Sequence, residues 1–220
     1  MSRRGVTLTE AAREFARYPS PWLLGIALIA SLVARIAVGD WRLADAVLPL
    51  IVLAGFPFLE WGIHVIVLHW RPRRIAGIQI DPELARKHRE HHVDPRAVRL
   101  IFVPVPSLFG ALGSTTIIGL LILPALLTRG TALGLTFMVT AFAIGLVYEW
   151  THYLVHTDYK PKHAVYRAIW RNHRLHHYKN EHYWFGVTSP GTADRVLGTY
   201  PDPQTVPTSP TARNLYAEIV

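Results

Sequence analysis

Ten of the twelve histidines in this 220-residue chain gather in four short clusters. His64 and His69 form an H-x4-H pair, and His88, His91 and His92 form an H-x2-H-H triplet. His152 and His156 form an H-x3-H pair, and His173, His176 and His177 a second triplet. Imidazole ligates iron, zinc and copper alike. Cysteine is absent, which excludes disulfides, thiolate zinc sites, Fe–S clusters and a cysteine nucleophile. Ten imidazoles are too many for one ion and suit two, at about four or five ligands each. A nitrogen-rich set with few carboxylates fits iron that must bind O2, and it accepts zinc as readily. One such histidine alone would read as an interfacial polar residue; four clusters at helix-compatible spacing would not.

Successive α-helical residues turn by about 100°, so positions i, i+3 and i+4 share a face. Each triplet can therefore aim all three rings into one pocket, and His152 and His156 share a face. His64 and His69 do not, because five residues turn the helix by about 140°. Either the helix is irregular there, as at a π-bulge, or the two rings address different metals, which is the favoured reading.

Glu60 and Glu149 precede the first histidine of each pair by a turn or less. A carboxylate at a membrane edge needs a partner. Orienting a ligating histidine through its second nitrogen would supply one, as would a nearby arginine at headgroup level. Asp158, Asn172 and His182 are weaker candidates for the same supporting role, while His163 reads as solvated. Tyr183, Trp184 and Phe185 follow the last cluster and are candidates to floor the site. Most of the other tryptophans lie where an interfacial belt would be.

The elements that must position these side chains are long and apolar. Half the chain is hydrophobic and only 17% is charged, a balance that points to a membrane protein. Four runs stand out: 22–38, 46–59 continuing to Trp70, 104–128, and 131–148 continuing to His156. About 20 residues cross ~30 Å of hydrocarbon, so the expected fold is all-α, with four transmembrane helices in two hairpins. Of 23 Lys and Arg, 4 lie in the N-terminal segment, 8 in 71–99 and 8 beyond 157; Arg35, Arg42 and Arg129 are the exceptions. The positive-inside rule then puts both termini, and a helical cap carrying all the histidines, on the cytoplasmic side. The net charge of +8 follows this topology, so it does not argue for nucleic-acid binding. Residues 1–200 read as one membrane-embedded domain. Within it, 1–20 forms an amphipathic segment lying on the membrane surface; 201–220 is a Pro/Thr-rich tail, loosely ordered.

The two halves look alike, each a hairpin of spans with a Glu-Trp, a histidine pair and a histidine triplet. A metal transporter would also need histidines near spans, but its ligands would line a path at mid-membrane, where runs three and four are apolar. A scaffold holding a zinc pair without oxygen chemistry stays open.

The four ordered boxes, with two spans between the second and third, resemble the fatty acid hydroxylase / sterol desaturase superfamily of integral-membrane di-iron oxygenases. The similarity covers about 45–200 and continues into HYWFGVTSPGTADRVLGTY (182–200). The H-x3-H third box and the Phe-Gly-Val-Thr-Ser run place it nearest the lipid 2-hydroxylase branch. The resemblance implies that the ten box histidines hold two metals, nominally iron, with zinc an alternative in a purified sample. It also implies O2-dependent hydroxylation of an unactivated C–H bond of a lipid or fatty-acyl chain. Desaturation, or carotenoid or sterol hydroxylation, is the alternative on the same scaffold. Some relatives carry a fused haem domain at the N-terminus; about twenty residues stand there here, so electrons are expected from a separate protein. Gly191-Thr192-Ala193 replaces the family's frequent aromatic before the Asp. The expected location is the bacterial inner membrane.

Overall fold

The computed structural model describes residues 5–128 and 130–216. Residues 1–4 of the N-terminal segment, Arg129 of the second short connection and residues 217–220 of the tail therefore lie outside it.

Four apolar helices are long enough to cross a membrane: Pro19–Val38, Ala44–Leu68, Val98–Leu126 and Gly130–His156. The first is helix α2. The second is α3 (Ala44–Gly62) extended by a π-helical turn, Ile63–Leu68. The third comprises α5 (Val98–Ile101), α6 (Val105–Ile117), a π-helical turn at Ile118–Ile122 and α7 (Leu123–Leu126). The fourth is α8, Gly130–His156. Ile26, Leu50 and Leu121 turn more than 60% of their surface outward, as lipid-facing side chains do. The chain is an all-α polytopic membrane protein, and α8 is its central helix: 44% of its apolar window is buried, against 11–22% in the other three.

Small and polar residues tie the spans together, as expected where lipid tails are as apolar as leucine. A Cβ on Gly134 of α8 would sit 1.7 Å from the Gly119 carbonyl oxygen, so the third and fourth spans touch backbone to backbone. Near the other end of α2, Arg35 pairs with Asp45 of α3 at 2.8 Å, both side chains nearly inaccessible. Thr136 of α8 joins them, accepting from Arg35 Nε and donating to Asp45.

At the opposite end lies the cap. It contains a hairpin of β1 (Arg73–Ile75) and β2 (Ile78–Ile80), α4 (Glu83–Val93), α9 (Ala164–Tyr178) and the short α10 (Thr192–Val196). Helix α1 (Leu8–Phe15) starts in a reciprocal cap between Thr7 and Glu10. It was expected on the membrane surface, but its inner face packs on the protein itself. Ala11 is fully buried, and Phe15 meets Trp150 edge-on at 5.1 Å and Tyr153 at 5.6 Å. Aromatic partners on α8 give the apolar stripe of α1 a protein surface to cover.

The segment 201–216, expected from its composition to be loosely ordered, makes specific contacts with the cap. Val206, Ala212 and Leu215 are buried, and the Ser209 amide donates to the Lys179 carbonyl at 2.7 Å.

Candidate metal centre

The ten box histidines converge at one end of the molecule as two groups of five. The first group holds His64, His69, His88, His92 and His176; the second holds His91, His152, His156, His173 and His177. Within each group one nitrogen per ring lies within 4.8 Å of all the others. Metal–imidazole bonds of about 2.0–2.1 Å put opposite ligands about 4.2 Å apart, so each group spans about one coordination sphere.

The helices explain the partition. In each triplet the i and i+4 residues go to one group and the residue between them to the other: His88 and His92 join the first, His91 the second; His173 and His177 join the second, His176 the first. Neighbouring residues point about 100° apart, so the adjacent pairs His91-His92 and His176-His177 divide between sites. The expectation that a whole triplet fills one pocket is corrected accordingly. Each half of the chain supplies its pair and two triplet rings to one group, and lends its fifth ring to the other.

His64 and His69 fall in one group, against the favoured reading that they serve different metals. The backbone from Ile63 to Leu68 is π-helical, and the His69 amide bonds the His64 carbonyl at 3.0 Å. A π turn closes over five residues, which stacks i over i+5 and aims both rings one way. The straight end of α8 achieves the same for His152 and His156 with a spacing of four.

All ten rings are buried except His69, which is half-buried. Burial first, and neighbouring imidazoles second, hold His69, His88, His91, His173, His176 and His177 well below the usual histidine range. Burial also lowers His92 to about 4, opposed by its hydrogen bond to the Ala212 carbonyl. Neutral rings present lone pairs, the form in which imidazole ligates.

The second nitrogens fix several rings. Nδ1 of His64 donates to the Phe185 carbonyl at 2.7 Å, that of His176 to Tyr183 at 2.8 Å, and that of His92 to Ala212 at 2.8 Å. Each leaves Nε2 carrying the lone pair, the arrangement typical of metal-bound histidine, and Nε2 of His92 lies 3.1 Å from that of His88. His152 bonds the Ile101 backbone. The Nε2 atoms of His64, His69, His152 and His176 are buried with no hydrogen-bond partner. In the second group, Nε2 of His156 lies 3.1 Å from that of His91 and 2.9 Å from that of His173, which lies 3.1 Å from that of His177. One ring proton cannot satisfy two such contacts at once. A cation among these nitrogens would, so the donor set fits a metal in each group.

The supporting candidates take different roles. Glu60 does not touch a ring: it accepts from the Val187 amide at 3.2 Å, the Thr188 amide at 3.0 Å and the Thr188 hydroxyl at 2.9 Å. It thereby holds the loop whose Phe185 carbonyl orients His64. Glu149 accepts from the Val103 amide at 3.0 Å, next to the segment that bonds His152. Asp158 pairs with Arg96 at the surface, away from the rings. Asn172 accepts from the Tyr200 hydroxyl at 3.2 Å. His182 is exposed beside Glu181 and belongs to neither group. Phe185 packs edge-on against His64 and His69, and lies 5.2 Å from His176. Trp184 is fully buried with a positive φ of 56°, and Tyr183 contributes through its carbonyl.

Asp194 was not singled out from the sequence. It accepts from the Phe185 and Gly186 amides, both at 2.9 Å, and from the Thr199 hydroxyl at 2.7 Å. The signal was present in the Gly-Val-Thr-Ser-Pro run followed by an Asp.

A family model described as fatty acid hydroxylase matches residues 49–199. A solved structure described as full-length scs7p, with only its hydroxylase domain visible, shares the fold with a TM-score of 0.66 and 22% identity, over 86% of this chain and 69% of that one. No curated protein matches the sequence significantly.

Proposed function

Since the chain belongs to the fatty acid hydroxylase family, we propose that it is a membrane monooxygenase that hydroxylates an unactivated C–H bond of a lipid or fatty-acyl chain with O2 and externally supplied electrons. The observation that carries this reading is the pair of five-imidazole groups, buried where two apolar spans end. Two metal ions, expected to be iron, would supply the oxidising power toward a C–H bond that ordinary side chains lack.

The chain's own residues do the rest. His64, His69, His88, His92 and His176 would hold one ion, and His91, His152, His156, His173 and His177 the other. Their neutral rings offer lone pairs, and the carbonyls of Phe185, Tyr183 and Ala212 keep three of the donors aimed inward. Burial excludes bulk water from the reacting carbon. Phe185, against the first group, is an apolar wall for an acyl chain, and the lipid-facing spans let such a chain approach sideways. The Lys/Arg distribution supports a cytoplasmic side for both termini and the centre, and the membrane proposed is a bacterial inner membrane. A separate electron-transfer protein supplies the electrons.

Comparative lipidomics of cells with and without the gene tests the reading. A lipid gaining one oxygen is expected, and it should vanish when His176→Ala replaces the wild type while the protein stays in the membrane. Unchanged product with that variant rejects the site; a loss of two hydrogens in place of a gained oxygen moves the reaction to desaturation.

A further inference from the structure

The segment 201–216 lies C-terminal to the family-matched residues, yet it reaches the first histidine group from two directions. The Ala212 carbonyl accepts from Nδ1 of His92 at 2.8 Å. The Tyr216 hydroxyl donates to the His69 carbonyl, at the end of the π-helical turn. Four further hydrogen bonds hold the segment down. Ser209 and Thr211 donate their hydroxyls to the buried Glu181 carboxylate. Burial pushes the Glu181 carboxyl up, and these hydrogen bonds more than offset it, leaving it below the usual carboxylate range. The Ser209 amide bonds the Lys179 carbonyl, and Arg213 donates to the Val93 carbonyl at 2.9 Å, just past His92.

None of these ties is made to a ring of the second group. There the second nitrogen of His152 uses the Ile101 backbone, and Nδ1 of His91, His173 and His177 has no partner among the described residues. The two groups thus differ in what holds them: among the described residues, 201–216 bonds a ring nitrogen of the first group and none of the second.

We propose that residues 201–216 form a strap belonging to the metal centre, which positions His92 and His69 and governs retention of the ion in the first group alone. This rests on the reading of the two groups as metal sites. Ala212 is a positioning residue acting through its backbone, so its role is independent of side-chain identity. Losing an outer partner of a ligating histidine typically weakens metal binding by roughly 10–100-fold, and the strap supplies one directly.

The test uses detergent-purified, chelator-stripped protein titrated with Zn2+ alone, with bound metal counted by mass spectrometry. The variants are a chain ending at Gln204 and a full-length Ser209→Ala/Thr211→Ala double substitution. The full chain should bind two ions. The shortened chain should keep one with unchanged affinity and bind the other roughly 10–100-fold more weakly. The double substitution should move the same ion in the same direction by less. Adding His156→Ala to the shortened chain should remove the remaining tight ion. Equal weakening of both ions would make the segment a general fold stabiliser and overturn the proposal, as would unchanged binding of both. A full chain that binds no zinc would overturn the metal reading itself. Monodispersity and helical circular dichroism identify a shortened chain that fails to fold; the double substitution then decides, and unaltered binding in it rejects the strap.

Discussion

The two histidine groups are built from the same parts and supported differently. Each takes a pair from the end of a transmembrane span, two rings from one cap helix and a single ring from the other. The first needs a π-helical turn to bring His64 and His69 to one side, and its rings are anchored by carbonyls at 183, 185 and 212. The second has its pair on unbroken α8, and three Nε2 contacts of 2.9–3.1 Å link four of its rings, against the contact of His88 with His92 in the first. Equivalent sets of rings therefore carry unequal scaffolding: three rings of one are anchored by carbonyls of 183, 185 and 212, while the other has its pair on an uninterrupted helix. The first should then be the group that peripheral substitutions disturb.

The strongest way to break this comparison is to remove the ring at the middle of the second group. His156→Ala should lower product by more than the roughly 10–100-fold typical of an outer partner, with one ion lost by metal analysis. Retention of both ions would mean that His156 is no ligand. Glu60→Ala should come next. It leaves the Val187 and Thr188 amides buried without an acceptor, at about 1–3 kcal/mol for each orphaned group, seen as a lower midpoint of thermal unfolding in detergent. It should also weaken the first-group ion, because Phe185 and its carbonyl loosen. Glu149→Ala orphans one backbone amide, that of Val103, against the two that Glu60 holds, so about 1–3 kcal/mol is expected, less than for Glu60, with the first-group ion unaffected. If Glu149→Ala proved the more harmful, the asymmetry in scaffolding would be wrong. The smallest effect should come from Phe185→Leu, which removes the ring edges against His64 and His69. Each aromatic contact is worth about 0.5–1.5 kcal/mol, so a faster release of one ion to a chelator is the expected sign, with the other ion's rate unchanged.

The spans and the gathering of the ten histidines at one end were legible because they rest on period and composition. Four long apolar stretches have few alternatives, and histidines at i and i+4 meet on any helix. What the sequence hid lay in the backbone. The five-residue spacing of His64 and His69 signalled an irregularity, but choosing a π turn over two separate metals required the hydrogen bond from the His69 amide to the His64 carbonyl. Carbonyl anchors leave no trace in residue identity: nothing in an alanine at 212 announces a partner for His92. Glu60 and Glu149 stand out in the sequence because a carboxylate at a membrane edge needs a partner; the partners are backbone amides of Val187, Thr188 and Val103, which residue identity does not reveal. The composition of 201–216 suggested little order, since proline and threonine give no periodic apolar face; Val206, Ala212 and Leu215 are buried one by one, without a helical or strand rhythm.

The division of each triplet between the groups also sets an order of events during synthesis. Four rings of the first group precede residue 93, but the fifth is His176; the second group takes four of its five, His152, His156, His173 and His177, from the later half, with His91 made long before. The first cluster lacks its last ring until His176 is made, and the second until His177. Until then the early-made imidazoles at the end of the second span and on α4 form only a partial cage, and a full five-ring donor set exists only once the two hairpins have met.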